Sequence, residues 1–127
     1  MSAADEALMA ITAWRENRSG GTAGMQSVIN VIQNRATDRG TTPYVEAVRP
    51  MQFSSITAHG DPELGLWPSF DDPQWVLAQQ LARTAAMGNL PDITGGATSY
   101  YALSIPAPYW VASMTKTVEI AGQIFFR

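Results

Sequence analysis

Apolar residues recur at helical spacing from the start of the chain. Ala4, Ala7, Leu8, Ile11 and Trp14 fall on one stripe and predict an amphipathic helix over residues 3–18. Glu16 lies off that stripe, on the flank shared by Met9 and Thr12. A glutamate there is ordinarily solvated, and only a second layer packed over the flank turns it toward a cleft. Gly20 and Gly21 end the helix. Met25, Val28, Ile29, Ile32 and Ala36 mark a second helix over residues 22–36. Its polar face, Gln26, Ser27, Asn30, Gln33 and Asn34, is uncharged. It reads as a solvated face, with bonding to packed neighbours or to ligands as the alternative.

Asp38 to Thr42 reads as a loop, and Pro43 opens a short helix over Tyr44 to Arg49. Residues 50–71 lack periodicity and hold Pro50, Gly60, Pro62, Gly65 and Pro68; long ordered loops of this kind often carry function. Asp72 and Pro73 supply an N-cap and a first turn for a helix to about Met87, with Trp75, Ala78, Leu81, Ala82 and Ala85 facing inward. Pro91 to Gly96 is turn-like. Strands are expected over Thr98 to Leu103, Thr117 to Ile120 and Gln123 to Phe126, the last two around Gly122. The pattern predicts one α+β domain over residues 1–127, mainly helical with a small β element.

Composition narrows the chemistry. With 127 residues, 46% of them hydrophobic, the chain suits one folded core rather than disorder. A formal charge of -3 argues against a nucleic-acid partner, which calls for a basic face. No cysteine is present, so disulfides and thiol catalysis are excluded. The single histidine, His59, leaves no multi-histidine zinc site and sits in a loop-like stretch, where it reads as solvated. No metal or organic cofactor is implied. No apolar run approaches membrane-spanning length, and Met1 to Glu6 carries no secretory pattern. Synthesis in the cytoplasm is therefore expected, with any external substrate reached by another route.

What remains centres on one carboxyl. A glutamate near a helix end, backed by hydroxyls and aromatics in later segments, suits glycosidic-bond cleavage. Protonating a glycosidic oxygen near neutral pH needs a carboxyl with a raised pKa. Burial and the negative end of the helix dipole act in that direction, while Arg15 and Arg18 oppose it if they face Glu16. A second carboxylate is the usual partner, and Asp61, Glu63, Asp71, Asp72, Asp92 and Glu119 are the candidates. Asp72 reads as an N-cap and Asp92 as a turn former, and none is placed as a nucleophile. A one-carboxylate mechanism, in which the substrate supplies its own nucleophile, stays open beside it. Among the aromatics, Phe53, Trp75, Phe125 and Phe126 read as core. Tyr100, Tyr101 and Trp110 flank glycine and proline loops and are candidates for stacking on sugar rings.

The motifs also follow one another in a known order. Glu16-Asn17-Arg18-Ser19 comes first, then a helix ending in Asn34-Arg35, then Gln52-Phe53-Ser54. Asp92, Thr94, Gly96, Ala97, Thr98 and Tyr100 follow, then Pro108-Tyr109-Trp110, and Gly122 to Phe126 closes the chain. Together they resemble the SleB-type cell-wall hydrolases, which include spore-cortex-lytic and phage peptidoglycan-degrading enzymes, over about residues 8 to 127. The resemblance implies a small lysozyme-like, lytic-transglycosylase-type domain. Such a domain cleaves the bond between N-acetylmuramic acid and N-acetylglucosamine, with Glu16 as the catalytic acid and 1,6-anhydro ends as products. Ser54, Thr98 and Tyr100 are expected to orient the sugar or support Glu16, and Tyr101 and Trp110 to stack.

The chain departs from the pattern in places. Gly20 stands where a second glutamate is common, and Ser99, Tyr101 and Gln123 replace histidines. The expected partner is the glycan strand of bacterial peptidoglycan, met by a monomer without nucleic acid or membrane insertion. A phage or prophage origin, with release by a holin or carriage in a virion, fits the lack of a leader. Two rivals stand beside this reading. A hydrolytic muramidase needs a second acid facing Glu16, at roughly 6.5–9.5 Å in an inverting arrangement. A non-catalytic glycan-binding virion module leaves Glu16 exposed and dispensable.

Overall fold

The first helix, α1 (Ala3–Asn17), begins on a capping box. Ser2 Oγ accepts from the Asp5 amide, and the Asp5 carboxylate accepts from the Ser2 amide and hydroxyl. Asp5 is buried and also accepts from the Tyr44 amide at 2.8 Å, which ties a later helix to this end. The computed structural model describes residues 1–50 and 52–127; Met51, inside the stretch expected to be irregular, lies outside the described residues.

Of the stripe expected on α1, only Trp14 is fully part of the buried side. Ala4 and Ala7 are exposed and Leu8 and Ile11 only half-buried, while Met9, Ala10, Thr12, Ala13 and Trp14 are buried. The helix runs between α2 (Gly21–Arg39), α3 (Pro43–Val48) and α5 (Pro73–Ala86), so most of its circumference is covered. Small residues at 10 and 13 suit the close helix contacts. The flank of Met9 and Thr12 is therefore packed, and Glu16 stands at its C-terminal end.

The stripe expected on α2 is buried throughout. The helix is longer than its pattern predicts, running through Asp38 before Gly40, at φ 65°, ends it in the left-handed region. Its amide face is not simply solvated. Gln26 and Asn30 donate to the Pro91 carbonyl at 2.9 and 3.1 Å, and Asn30 Oδ1 accepts from the Ile93 amide at 3.0 Å. Asn34 donates to the Asp92 carboxylate and the Ala97 carbonyl. Residues 91–97 form no regular element, so their backbone groups need such partners.

The stretch before α5 holds a single turn of helix, α4 (Ser54–Thr57), and a 3₁₀ turn over Pro62–Gly65. Asp72 caps α5 by accepting from the Gln74 and Trp75 amides, as the Asp-Pro pair predicts. Trp75 is half-buried rather than core. It walls a groove of about 560 Å³ beside α1, together with Leu8, Ile11, Arg15 and Trp67.

Three antiparallel strands complete the α+β arrangement: β1 (Ser99–Ala102), β2 (Lys116–Ile120) and β3 (Gln123–Phe126), in the order β1-β3-β2. Ala121 and Gly122, both at positive φ, make the tight turn between β2 and β3. Tyr100 lies opposite Phe125 and Tyr101 opposite Ile124. The face with Tyr100 and Phe125 packs on Val31 of α2. Side chains alternate along a strand, so Tyr101 and Phe126 face the other way. No helix among the described residues is long and apolar enough to cross a membrane.

Candidate active site

Glu16 occupies the last turn of α1, where the chain leaves the helix through Asn17 and a 3₁₀ turn over Arg18–Gly20. Asn17 has an irregular backbone (φ -155°, ψ 45°), and its buried side chain wedges against the next helix. A Cβ at Gly20 would come within 2.7 Å of Asn17 Oδ1 and 2.9 Å of Ala121 Cβ. One at Gly24 would come within 2.7 Å of Asn17 Nδ2. The two glycines thus let the turn after Glu16 close against α2 and the tip of the β2–β3 hairpin. No side chain fits at Gly20 without displacing Asn17 or Ala121.

The half-buried Glu16 carboxylate accepts a hydrogen bond from the Tyr100 hydroxyl at 2.9 Å, across 84 residues of sequence. Tyr100 arrives from β1 with its ring 5.3 Å from that of Phe125. Burial, then the nearby negative charge of Glu16 and the bond to it, push the Tyr100 phenol well above its ordinary pKa; Arg35 opposes them. The hydroxyl is therefore a neutral donor over the whole physiological range.

The two arginines flanking Glu16 in sequence are committed elsewhere. Arg15 donates to the carbonyls of Leu66 and Ser55 and lies 4.5 Å from the Trp67 ring. Burial holds its guanidinium below the usual arginine range. Arg18 pairs with Glu63 and stacks over Trp14 at 4.0 Å. Its bond to Glu63 raises its pKa.

Arg35 is the charged residue beside the pair, and pattern reading passed over it. It is 8% exposed, donates through Nε to the Thr98 carbonyl, and lies 5.0 Å from the Phe53 ring. Burial depresses its pKa most and Arg39 adds to that, while Tyr100, Glu46 and Glu16 act the other way. Its place in the Asn34-Arg35 motif was the available signal; an arginine at a helix end reads by itself as a solvated cation. Thr12 was passed over too. It sits one turn before Glu16 on the same face, buried, its hydroxyl without a partner among the described residues.

The other expected site residues fall in different places. Thr98 holds Arg35 through its carbonyl and donates its amide to the Phe126 carbonyl at 2.9 Å. Ser54 is exposed on the first turn of α4 and lines a cavity with Val48, Thr57 and Ala58. Tyr101, Trp110 and Phe126 form an aromatic cluster, with Tyr101 stacked on Phe126 at 5.8 Å and Trp110 edge-on to both. Strand alternation puts that cluster on the sheet face opposite Tyr100, so the structure does not bring Tyr101 and Trp110 to Glu16.

Most alternative acids are already engaged. Glu63 holds Arg18, and Asp61 accepts from the Glu63 amide. Asp72 caps α5, and Asp92 takes four bonds from Thr94, Gly96 and Asn34. Burial would raise the Asp92 pKa, but those bonds outweigh it and lower it. Glu119 pairs with Lys116, and Asp71 is exposed. Among the described residues no three His, Asp or Glu side chains gather as metal ligands. The arrangement offers one carboxyl with a neutral donor on one oxygen and a buried cation nearby, which suits proton transfer to and from a bound substrate.

A family model described as Cell Wall Hydrolase matches residues 19–126, starting just beyond Glu16. The fold is similar to that of the catalytic domain of the germination-specific lytic transglycosylase SleB from Bacillus anthracis. That likeness has a TM-score of 0.77 at 24% identity and covers 100% of this chain and 97% of that one. No curated protein matches the sequence.

Proposed function

This chain belongs to the cell wall hydrolase family, and from that membership we propose that it cleaves the glycan strand of bacterial peptidoglycan, with residues 1–127 acting as a single catalytic domain. The bond cut is the β-1,4 link from N-acetylmuramic acid to N-acetylglucosamine. Glu16 is the general acid: it protonates the linking oxygen as the N-acetylglucosamine leaves. The carboxylate so formed then takes a proton from the C6 hydroxyl of the muramic acid, whose oxygen closes on C1. One C–O bond breaks, one forms, no water is consumed, and the product carries a 1,6-anhydro end.

One observation carries this reading. A single carboxyl, Glu16, stands on a packed helix flank with a neutral phenol on it, while the other candidate acids, the exposed Asp71 apart, serve caps, turns or ion pairs. A mechanism that draws its nucleophile from the substrate needs no second carboxylate. The likeness in fold to a lytic transglycosylase supports the same choice.

Release of soluble fragments from purified sacculi tests it. Wild-type protein is expected to release them, and Glu16→Gln to bind sacculi equally while releasing none. Equal release by both proteins would remove Glu16 from the mechanism. Binding without release by either would leave a glycan-binding module.

A further inference from the structure

Arg35 is a buried cation that no carboxylate among the described residues holds by a hydrogen bond. Its Nε reaches the Thr98 carbonyl, its plane lies 5.0 Å from the Phe53 ring, and Nη1 is buried without a partner among the described residues. A guanidinium sunk this far without a bonded counter-ion costs stability. Thr98 stands two residues before Tyr100, so the Nε bond fixes the start of the strand that delivers the phenol. Tyr100 and Glu16 both act on the guanidinium charge, and it acts in turn on Tyr100.

Resting on the function proposed above, we infer that Arg35 is a positioning residue for the reaction: it anchors β1 so that Tyr100 meets Glu16, and its fixed positive charge stabilises the Glu16 carboxylate that appears when the proton leaves. Before proton transfer the group of Arg35, Tyr100 and protonated Glu16 carries one positive charge. Afterwards it is neutral overall. For a Glu16 that enters the step protonated, a preorganised charge of this kind in a partly desolvated site lowers the barrier to losing that proton. The substrate need not touch Arg35 for this to hold.

The test separates charge from tethering. Arg35→Lys keeps the charge and loses the planar donor fork; Arg35→Gln keeps a donor and loses the charge; Arg35→Met keeps the packing on Phe53 alone. Sacculus binding, melting temperature and kcat are measured for each, beside wild type and Glu16→Gln. The expected result is unchanged binding in all three. The kcat of Arg35→Lys should be at least about tenfold above that of Arg35→Gln and Arg35→Met, whatever the order of their melting temperatures. Adding Tyr100→Phe to Arg35→Gln should cost less than about threefold more, because the two residues act on one group.

Equal kcat in the Lys, Gln and Met variants, or losses that follow melting temperature alone, would reduce Arg35 to a structural tie. If Arg35→Gln does not fold, the comparison of Lys with Met carries the same decision. An inactive wild type, or a fully active Glu16→Gln, would overturn the function itself, an outcome distinct from a wild-type-like Arg35→Met beside a dead Glu16→Gln.

Discussion

Tyr100 is the only side chain whose hydrogen bond to Glu16 is seen among the described residues, and it comes from the far end of the chain. Because its phenol is held neutral, it donates to the carboxylate without adding charge. Removing that donor should cost what a bond to a charged group is worth, about 1.5–3 kcal/mol. Tyr100→Phe is therefore expected to lower kcat by roughly 10–100-fold and the melting temperature by only several degrees, since the bond is lost while the ring and its contact with Phe125 survive. A loss confined to KM would place the hydroxyl on the substrate instead of on Glu16. The position of Glu16, at a helix end before paired glycines, was legible in the sequence. Its environment was not, because the residues that cover it, from β1 and α2, lie far away in sequence. Beyond the place of Arg35 in the Asn34-Arg35 motif, its burial was illegible for a related reason: only tertiary packing tells a buried guanidinium from a solvated one.

Among the elements, α3 and the end of α2 are held by a fully buried carboxylate. Glu46 accepts from Arg39, Arg49 and Thr41. Burial alone would raise its pKa, but the bonds from Arg49, Thr41 and Arg39 outweigh this and bring it down to about 2. A depressed folded pKa gives stability that is present above the unfolded value and lost as pH falls through the folded one. Between roughly pH 4.5 and pH 2 the protein should lose on the order of 3 kcal/mol from this group. Glu46→Gln should flatten that part of an acid-unfolding curve, and an unchanged acid limb would contradict the assignment. The wedge at Asn17 gives a second expectation. Alanine in a helix is worth about 1 kcal/mol over glycine by propensity, whereas overpacking costs about 1–3 kcal/mol. With Asn17 Nδ2 2.7 Å from the added carbon, crowding wins, and Gly24→Ala should destabilise the fold in urea. A gain in stability would show that Asn17 yields freely. Periodicity found α1, α2 and α5 but, Trp14 apart, missed the buried face of α1, since a helix enclosed by neighbours buries small and polar residues that no apolar stripe reveals.

Across the whole molecule, the sheet is joined to the helices through Phe125 against Val31 and through the α2 amides that grip residues 91–97. Phe125 is completely buried, so Phe125→Ala should cost about 3–5 kcal/mol in equilibrium denaturation. Part of the activity should go with it, because β1 carries Tyr100. The α+β class and the three strands were legible from alternation and turn residues, while the joining of sheet to helices was not. The α2 amides looked like a solvated face because their partners are backbone groups, which sequence patterns do not display. The most direct measurement is mass spectrometry of the fragments released from purified peptidoglycan by wild-type protein and Glu16→Gln. Fragments ending in 1,6-anhydro-muramic acid, from the wild type only, are the expected result. Reducing muramic acid ends would contradict it and make water, in place of the C6 hydroxyl, the nucleophile.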